Sequence, residues 1–425
     1  MKIPATVTRI QDGALFECSL SSLTLPAALS FIQDGAFQGS DSLSTLTLSS
    51  ENQYYSVEGN VLFSKDKTVI VSYLGGLVGA YVVPSSVTAI GNAFYDCAGL
   101  SSINISSQLI DFSPSSFFGN SNLESIAVDT ANPSWMSDSG ALYSKDGSSL
   151  KFVPNALSGS ISVLDGTVSI GNGAFHGCSK ITSITLPNSL KNIGVGAFYG
   201  CSSLISFTCP ASYGYIEAYT FYGCSALQMV SFLGKIIGVR DYAFYGCISL
   251  ASIDFANGLT AIGKACFMNC SSLVSIRLPA SAHGIGNYAF FNCSKLATIT
   301  IESYITSFGK YCFGNCTSLA SLNVPETTIE SGFTTQPSVT LYEGAFAFCN
   351  QLSSIVLPTT TIFVGARCFA KDSLLSIYFS ATSLDTVTLI ADWNILSGNG
   401  YTYSAAQPAS AGHYWHYVNS IPTAW

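Results

Sequence analysis

From residue 170 to residue 319 the chain repeats one phrase at a fixed period. Phe175, Phe198, Phe221, Phe244, Phe267, Phe290 and Phe313 stand 23 residues apart. A cysteine comes three residues after each: Cys178, Cys201, Cys224, Cys247, Cys270, Cys293 and Cys316. Between these markers recurs an apolar pattern of the type Ile181-x-x-Ile184-x-Leu186. A strict period of about 20–29 residues carrying that pattern leaves few folds open. One turn alone cannot bury its apolar side, so turns must stack into a leucine-rich repeat solenoid whose core grows in one dimension.

The alternation within each turn divides it into two walls. Ile184 and Leu186 are expected to face the core of a strand, with Ser183 and Thr185 facing out. Pro187 then stops the strand, because it has no N–H to donate. Stacked strands of this kind predict a parallel β-sheet along one wall. The Gly-x-x-Ala-Phe-x-x-Cys segment returns along the other wall in short turns or a helical turn, laying Phe on Phe and Cys on Cys.

The pattern extends well beyond its clearest stretch. Markers at Leu15, Phe37, Phe94, Phe117, Phe346 and Phe369 join the seven above, so residues 1–379 read as one solenoid. Two insertions, at about 49–88 and 129–168, are copies of each other: Leu62-Phe63-Ser64-Lys65-Asp66 aligns with Leu142-Tyr143-Ser144-Lys145-Asp146. Their alternation around Lys-Asp predicts β-hairpin insertions standing out from the solenoid. A third insertion, at about 325–341, carries Pro325, Gly332 and Pro337 and reads as a loop. Residues 380–425 lose the period, hold Trp393, Trp415 and Trp425, and read as an aromatic C-terminal cap. At the other end Ile3-Pro4 already matches the middle of a turn, so the first turn is expected to open without a cap of its own.

Composition excludes several classes of function. Only 9% of the residues are charged, the mean hydropathy is +0.40, and 16 Lys and Arg face a net charge of −8. No basic stripe exists to neutralise phosphates, so nucleic acid is not an expected partner. The charge-free stretches Thr68–Tyr95 and Trp393–Trp425 are broken by Gly, Pro, Ser and Asn, so neither reads as a membrane span. No Gly-x-Ser-x-Gly, P-loop or dinucleotide fingerprint occurs, and an enzyme is not expected. The cysteines read as small buried hydrophobes, since bridges between in-register neighbours would be strained. Bridges within Cys266/Cys270 or Cys312/Cys316 are the alternative. No Cys-x-x-Cys starts a zinc site, His413-Tyr-Trp-His416 reads as packing, and no cofactor is implied.

The outward strand positions form the candidate binding wall. They include Ser183 and Thr185, Ser206 and Thr208, Ser252 and Asp254, Ser275 and Arg277, Thr298 and Thr300. This ladder of hydroxyls lacks the clustered aromatics and arginines of a hot spot, and would suit a regular partner such as a polysaccharide or ice. Sequons at Asn104, Asn269, Asn292 and Asn315 are candidate glycosylation sites.

The phrase Ile-Gly-x-x-Ala-Phe-x-x-Cys-Ser-x-Leu-x-Ser-Ile-x-Leu-Pro resembles the BspA-like family of leucine-rich repeat proteins, also called the Treponema pallidum type. The resemblance covers about residues 3–379. It implies a surface protein of bacteria or protists, used in adhesion and protein–protein contact, with no catalytic residues to carry over. The first functional expectation is therefore a non-enzymatic extracellular or cell-surface scaffold that binds other proteins. With no signal segment in the sequence, a cytoplasmic place stays open. The second expectation is a structural subunit that assembles head to tail with copies of itself, Ile3 and Pro4 receiving the segment of Trp393, Trp415 and Trp425 from the next copy.

Overall fold

The computed structural model describes residues 1–370 except 213, 256–257, 303–304, 326–337 and 359–360; beyond 370 it describes the strands 376–379, 388–389, 400–403, 414–418 and 421–424. The chain forms two compact units, Met1–Ser202 and Ser203–Trp425. Each is a β-solenoid of parallel strands with very little helix.

The second unit shows the construction most plainly. Its wall strands pair in parallel one period apart: Ser206 opposite Met229, Ser252 opposite Ser275, and Ser275 opposite Thr298. Pro210, Pro279 and Pro358 come directly after the strands Ser206–Cys209, Ser275–Leu278 and Ser354–Leu357, where a missing N–H ends the ladder. A second parallel sheet begins a few residues later, with Ile216, Val239, Ile262, Ile285 and Phe308 in register. All five of these side chains are buried.

The return segment is a chain of tight turns. Cys247 N–H bonds back to Phe244 O, while Phe244 N–H and Gly246 N–H bond forward to Cys266 O and Met268 O of the next turn. A helix cannot form there, because two positions per turn are left-handed, as at Tyr242 (φ 58) and Gly246 (φ 71). The only helical segment among the described residues is the 3-10 turn Pro114–Phe117. Behind the turns the predicted phenylalanine ladder is present. Phe221, Phe244, Phe267, Phe290 and Phe313 stack with ring centroids 5.1–5.2 Å apart and planes within 15° of parallel. Each such ring contributes about 1.5–3 kcal/mol by burial, with about 0.5–1.5 kcal/mol more from ring pairing.

In the first unit the insertions divide into two parts. Residues Tyr55–Glu58 and Val61–Ser64 form the antiparallel hairpin, and Trp135–Asp138 with Ala141–Ser144 form its copy. After each hairpin comes a solenoid turn without the usual lettering: Gly79–Val82 and Gly159–Ser162 are wall strands, parallel to Leu100–Ile105 and Ile181–Thr185. Phe152 serves as the missing rung, 5.9 Å from Phe117. The hairpins do not stand clear of the body, since Val61, Leu62, Phe63, Ala141, Leu142 and Tyr143 are buried.

A buried asparagine ties each hairpin to the turn before it. Asn132 donates to Ser106 O and Leu109 O and accepts from Ser134 N and Trp135 N at 2.8–3.0 Å. Asn52 repeats the arrangement with Pro26 O, Ala27 O, Leu29 O, Tyr54 N and Tyr55 N.

Two expectations differ in detail. Ile184 and Leu186 are only half-buried, with Ile181 taking the core position, in what is the last wall strand of its unit. The segment expected as a cap continues the wall: strands Gly400–Tyr403, Tyr414–Val418 and Ile421–Ala424 extend the sheet from Ser376–Phe379, the last pair antiparallel. Of the third insertion, Val339–Leu341 joins the second sheet beside Ser307–Phe308.

Candidate binding surfaces

The hydroxyl wall is present but divided. In the first unit Ser183 is half-buried and shares a 2.7 Å hydrogen bond with Ser160, while Thr185 is exposed. The hairpins close off wall edges there. Ile126 N–H donates to Gly140 O and Val128 N–H to Ser137 Oγ, and Leu46 N–H is taken by Asn60 Oδ1. In the second unit Ser206, Thr208, Ser252, Asp254, Ser275, Thr298 and Thr300 are exposed. Arg277 lies 2.7 Å from Glu302 and 3.7 Å from Asp254, so the charges on this stretch satisfy one another. Exposed pairs of this kind contribute about 0–1 kcal/mol to stability. They leave the wall a row of small hydroxyls with little net field.

The cysteines have a structural task beyond filling space. All are thiols, and all but Cys18 are buried. In turn after turn the Sγ–H donates to the carbonyl of the marker residue in the preceding turn. Cys247 reaches Phe221 O, Cys270 reaches Phe244 O, Cys293 reaches Phe267 O and Cys316 reaches Phe290 O, at 3.1–3.2 Å. Where cysteine is absent, another donor fills the position: Ser40 Oγ bonds Leu15 O at 2.6 Å and Asn120 Nδ2 bonds Phe94 O at 2.9 Å. Burial raises the pKa of Cys247, Cys270 and Cys316 well above that of an ordinary thiol. The ladder is therefore chemically inert, and no group of three metal-ligating side chains exists among the described residues. His416 pairs with Thr423 within the last strands, and His413 lies outside the described residues.

The turn wall of the second unit carries an aromatic cluster. Tyr219 stacks on Tyr242 at 5.1 Å and Tyr222 on Tyr245 at 4.6 Å, with planes 4° and 3° from parallel. The two columns touch, at 6.0 Å between Tyr219 and Tyr222 and 6.1 Å between Tyr242 and Tyr245. Tyr219 is 38% and the adjoining Tyr215 42% exposed. Lys264 lies over the Tyr242 ring at 5.4 Å, and its ammonium pKa is raised by a hydrogen bond to that tyrosine. Arg240 lies 5.3 Å from the Tyr215 ring and 3.0 Å from Glu217. The columns pause at Ala265 and Met268 and resume at Tyr288, Phe291 and Tyr311.

The backbone under these tyrosines is costly. Tyr219, Tyr242, Tyr288 and Tyr311 have φ of 50–59°, a left-handed conformation that costs a side-chain-bearing residue about 1–2 kcal/mol. Glycine holds the same position, without that cost, in the turns of Gly173, Gly196 and Gly344. The 23-residue recurrence of tyrosine is visible in the sequence. The left-handed backbone and the adjacency of the two columns are not.

The other candidate residues are scattered over both units. Asn269, Asn292 and Asn315 occupy the second left-handed position of their turns, at φ 59–65, where earlier turns have glycine. Their amides are chained, Asn292 donating to Asn269 at 2.9 Å and Asn315 to Asn292 at 2.8 Å. Asn104 stands apart on a wall strand and is exposed. Ile3 is buried and its N–H bonds to Thr24 O, whereas Pro4 is exposed. Trp415 lies in a strand opposite Ala424; Trp393 and Trp425 lie outside the described residues.

The family described as BspA type leucine rich repeat region, in 6 copies, matches residues 1–68, 79–141, 152–255, 237–336 and 329–390, and the chain belongs to that family. No curated protein matches it. Among solved structures it is similar to a leucine-rich repeat protein of Eubacterium ventriosum, at 17% identity over 92% of this chain and 86% of that one, with a TM-score of 0.51. A leucine-rich repeat protein of Bacteroides ovatus gives 19% identity, 89% and 86% coverage and a TM-score of 0.44. The T. pallidum leucine rich repeat protein gives 21% identity over 62% of this chain and 86% of that one, with a TM-score of only 0.20. No helix among the described residues is long and apolar enough to cross a membrane.

Proposed function

We propose that this chain is a non-enzymatic scaffold that binds another protein at the cell surface, and that the tyrosine columns of the turn wall are its contact face. The observation that supports this reading is the four tyrosines at left-handed positions. A solenoid needs no aromatic there, and strained backbone at a repeated site that is exposed at Tyr219 and half-buried at Tyr242, Tyr288 and Tyr311 points to use. The stacked columns form a rigid, partly exposed amphipathic surface with Arg240 and Lys264 at its margin. Tyrosine and arginine are the residues that dominate protein–protein hot spots. Such a face recognises a polypeptide better than a sugar ring, because the aromatic faces are occupied by one another.

The test is binding of the labelled protein to an array of immobilised extracellular-matrix and plasma proteins. Saturable binding that drops at least tenfold in Tyr219→Ser/Tyr242→Ser, but persists in Thr298→Ala/Thr300→Ala, supports the tyrosine face. Loss in the threonine variant alone returns the site to the hydroxyl wall. Binding only to immobilised copies of the chain itself supports the alternative, a self-assembling structural subunit. Retention on a polysaccharide column alone removes the protein-binding reading.

A further inference from the structure

We propose that Asn104 is the one sequon of this chain whose asparagine the native fold leaves able to carry an N-linked glycan. The four sequons look alike in sequence and differ in place. Asn269, Asn292 and Asn315 sit in the tight return turns, half-buried and linked amide to amide at 2.8–2.9 Å. Sugars on successive rungs would start from atoms already in contact, and a sugar on Asn292 or Asn315 would crowd the amide oxygen that its Nδ2 now meets. The asparagines are there for a backbone reason, since they are the residues other than glycine that best tolerate left-handed φ.

Asn104 has none of these ties. It occupies an outward position, next to last in the strand Leu100–Ile105, with Val82 and Ala127 as its cross-strand neighbours. Neither neighbour has a polar group to engage the amide, and Val82 is itself 65% exposed. The side chain is exposed and makes no hydrogen bond among the described residues. It opens onto a shallow groove floored by Ile105, Ala127 and Val128, where a glycan would lie without displacing a hydrogen bond. The third residue of the sequon, Ser106, has a buried Oγ with no partner in the folded chain.

The donor is a lipid-linked oligosaccharide pyrophosphate. The amide Nδ2 forms a bond to the anomeric carbon, the bond from that carbon to the pyrophosphate oxygen breaks, and the amide proton leaves to base. Oligosaccharide transfer meets the chain before it folds, so all four sequons are open to it. The fold then decides which product survives as native protein. An oligosaccharide at Asn104 would cover part of the wall of the first unit.

The experiment is secretion of the full chain from a eukaryotic host, isolation of the monomeric fraction, and glycopeptide mass spectrometry at each sequon. It reads which glycosylated asparagines the native fold tolerates and does not depend on the proposed binding role. The expected result is a glycan at Asn104 and bare Asn269, Asn292 and Asn315. Asn104→Gln and, separately, Ser106→Ala should abolish the modification; the alanine also removes an unpaired buried hydroxyl and should leave the melting temperature unchanged or higher. Bare Asn104 in the native monomer, or a glycan on any of the three turn asparagines, overturns the proposal.

Discussion

Replacing Cys270 separates two accounts of the cysteine ladder. If the thiol were only a small hydrophobe, alanine would be the milder substitution and serine the worse, because serine buries a hydroxyl. If the thiol acts as a donor to the Phe244 carbonyl, 3.1 Å away, serine should be the milder one. Cys270→Ala loses about one methylene's worth of transfer energy, ~0.8 kcal/mol. It adds a cavity contribution of similar or smaller size and forfeits an S–H···O contact of about 0.5 kcal/mol. Phe244 O keeps its bond from Cys247 N, so no carbonyl is orphaned. The expected cost is therefore about 1.5–2 kcal/mol. Cys270→Ser exchanges the thiol for a stronger donor whose hydrogen bond contributes about 1 kcal/mol net, and the chain itself places Ser40 at this position. Its expected cost is about 0–1 kcal/mol. Urea unfolding monitored by circular dichroism ranks the two. A serine variant less stable than the alanine variant refutes the hydrogen-bonding account.

Other consequences are open to simple measurement. In native protein an aromatic disulfide reagent should titrate at most one thiol rapidly, that of Cys18, and all fourteen in strong denaturant; rapid reaction of several native thiols would contradict the buried ladder. Asn132→Ala leaves two N–H and two C=O groups without their partner and should cost about 2–4 kcal/mol in the same unfolding assay. A cost below about 0.5 kcal/mol, the usual range of surface changes, would show that the hairpin is not held there. His176 is stacked between Phe118 and Tyr199 at 4.6 and 4.8 Å, and burial lowers its pKa. The unfolded chain then binds a proton first, so stability should hold above the unfolded pKa of about 6.5 and fall as the pH drops below it. His176→Phe should flatten that fall, and an unchanged pH profile would rule the histidine out as its cause.

How much the sequence disclosed depends on the kind of interaction. The spacing of Phe221, Phe244 and Phe267 was enough to place ring on ring, because a one-dimensional stack turns sequence period directly into neighbourhood. The turns after each hairpin were hidden for the opposite reason. Gly159–Ser162 keeps the wall geometry through backbone pairing and the Ser160–Ser183 hydrogen bond, and only Phe152 preserves a marker side chain. The hydroxyl wall was legible as alternation, but not its division by Gly140 and Asn60, which arises from how the hairpins fold back. The tyrosine face is written in plain periodicity at 219 and 242 and again at 222 and 245. Its meaning is hidden because strand alternation marks the other wall, and because the spacing does not show that Tyr219 and Tyr242 take a left-handed backbone or that their rings meet those of Tyr222 and Tyr245.

The claim most in need of a direct test is that the turn wall, not the strand wall, meets the partner. A photo-crosslinking phenylalanine analogue placed at Tyr245, and in a second protein at the exposed Met229 of the strand wall, reads this without presupposing an affinity. With the protein identified on the array as partner, illumination should give a covalent heterodimer from position 245 and none from 229. A heterodimer from 229 alone, or only a doubled form of the chain itself, would contradict the account.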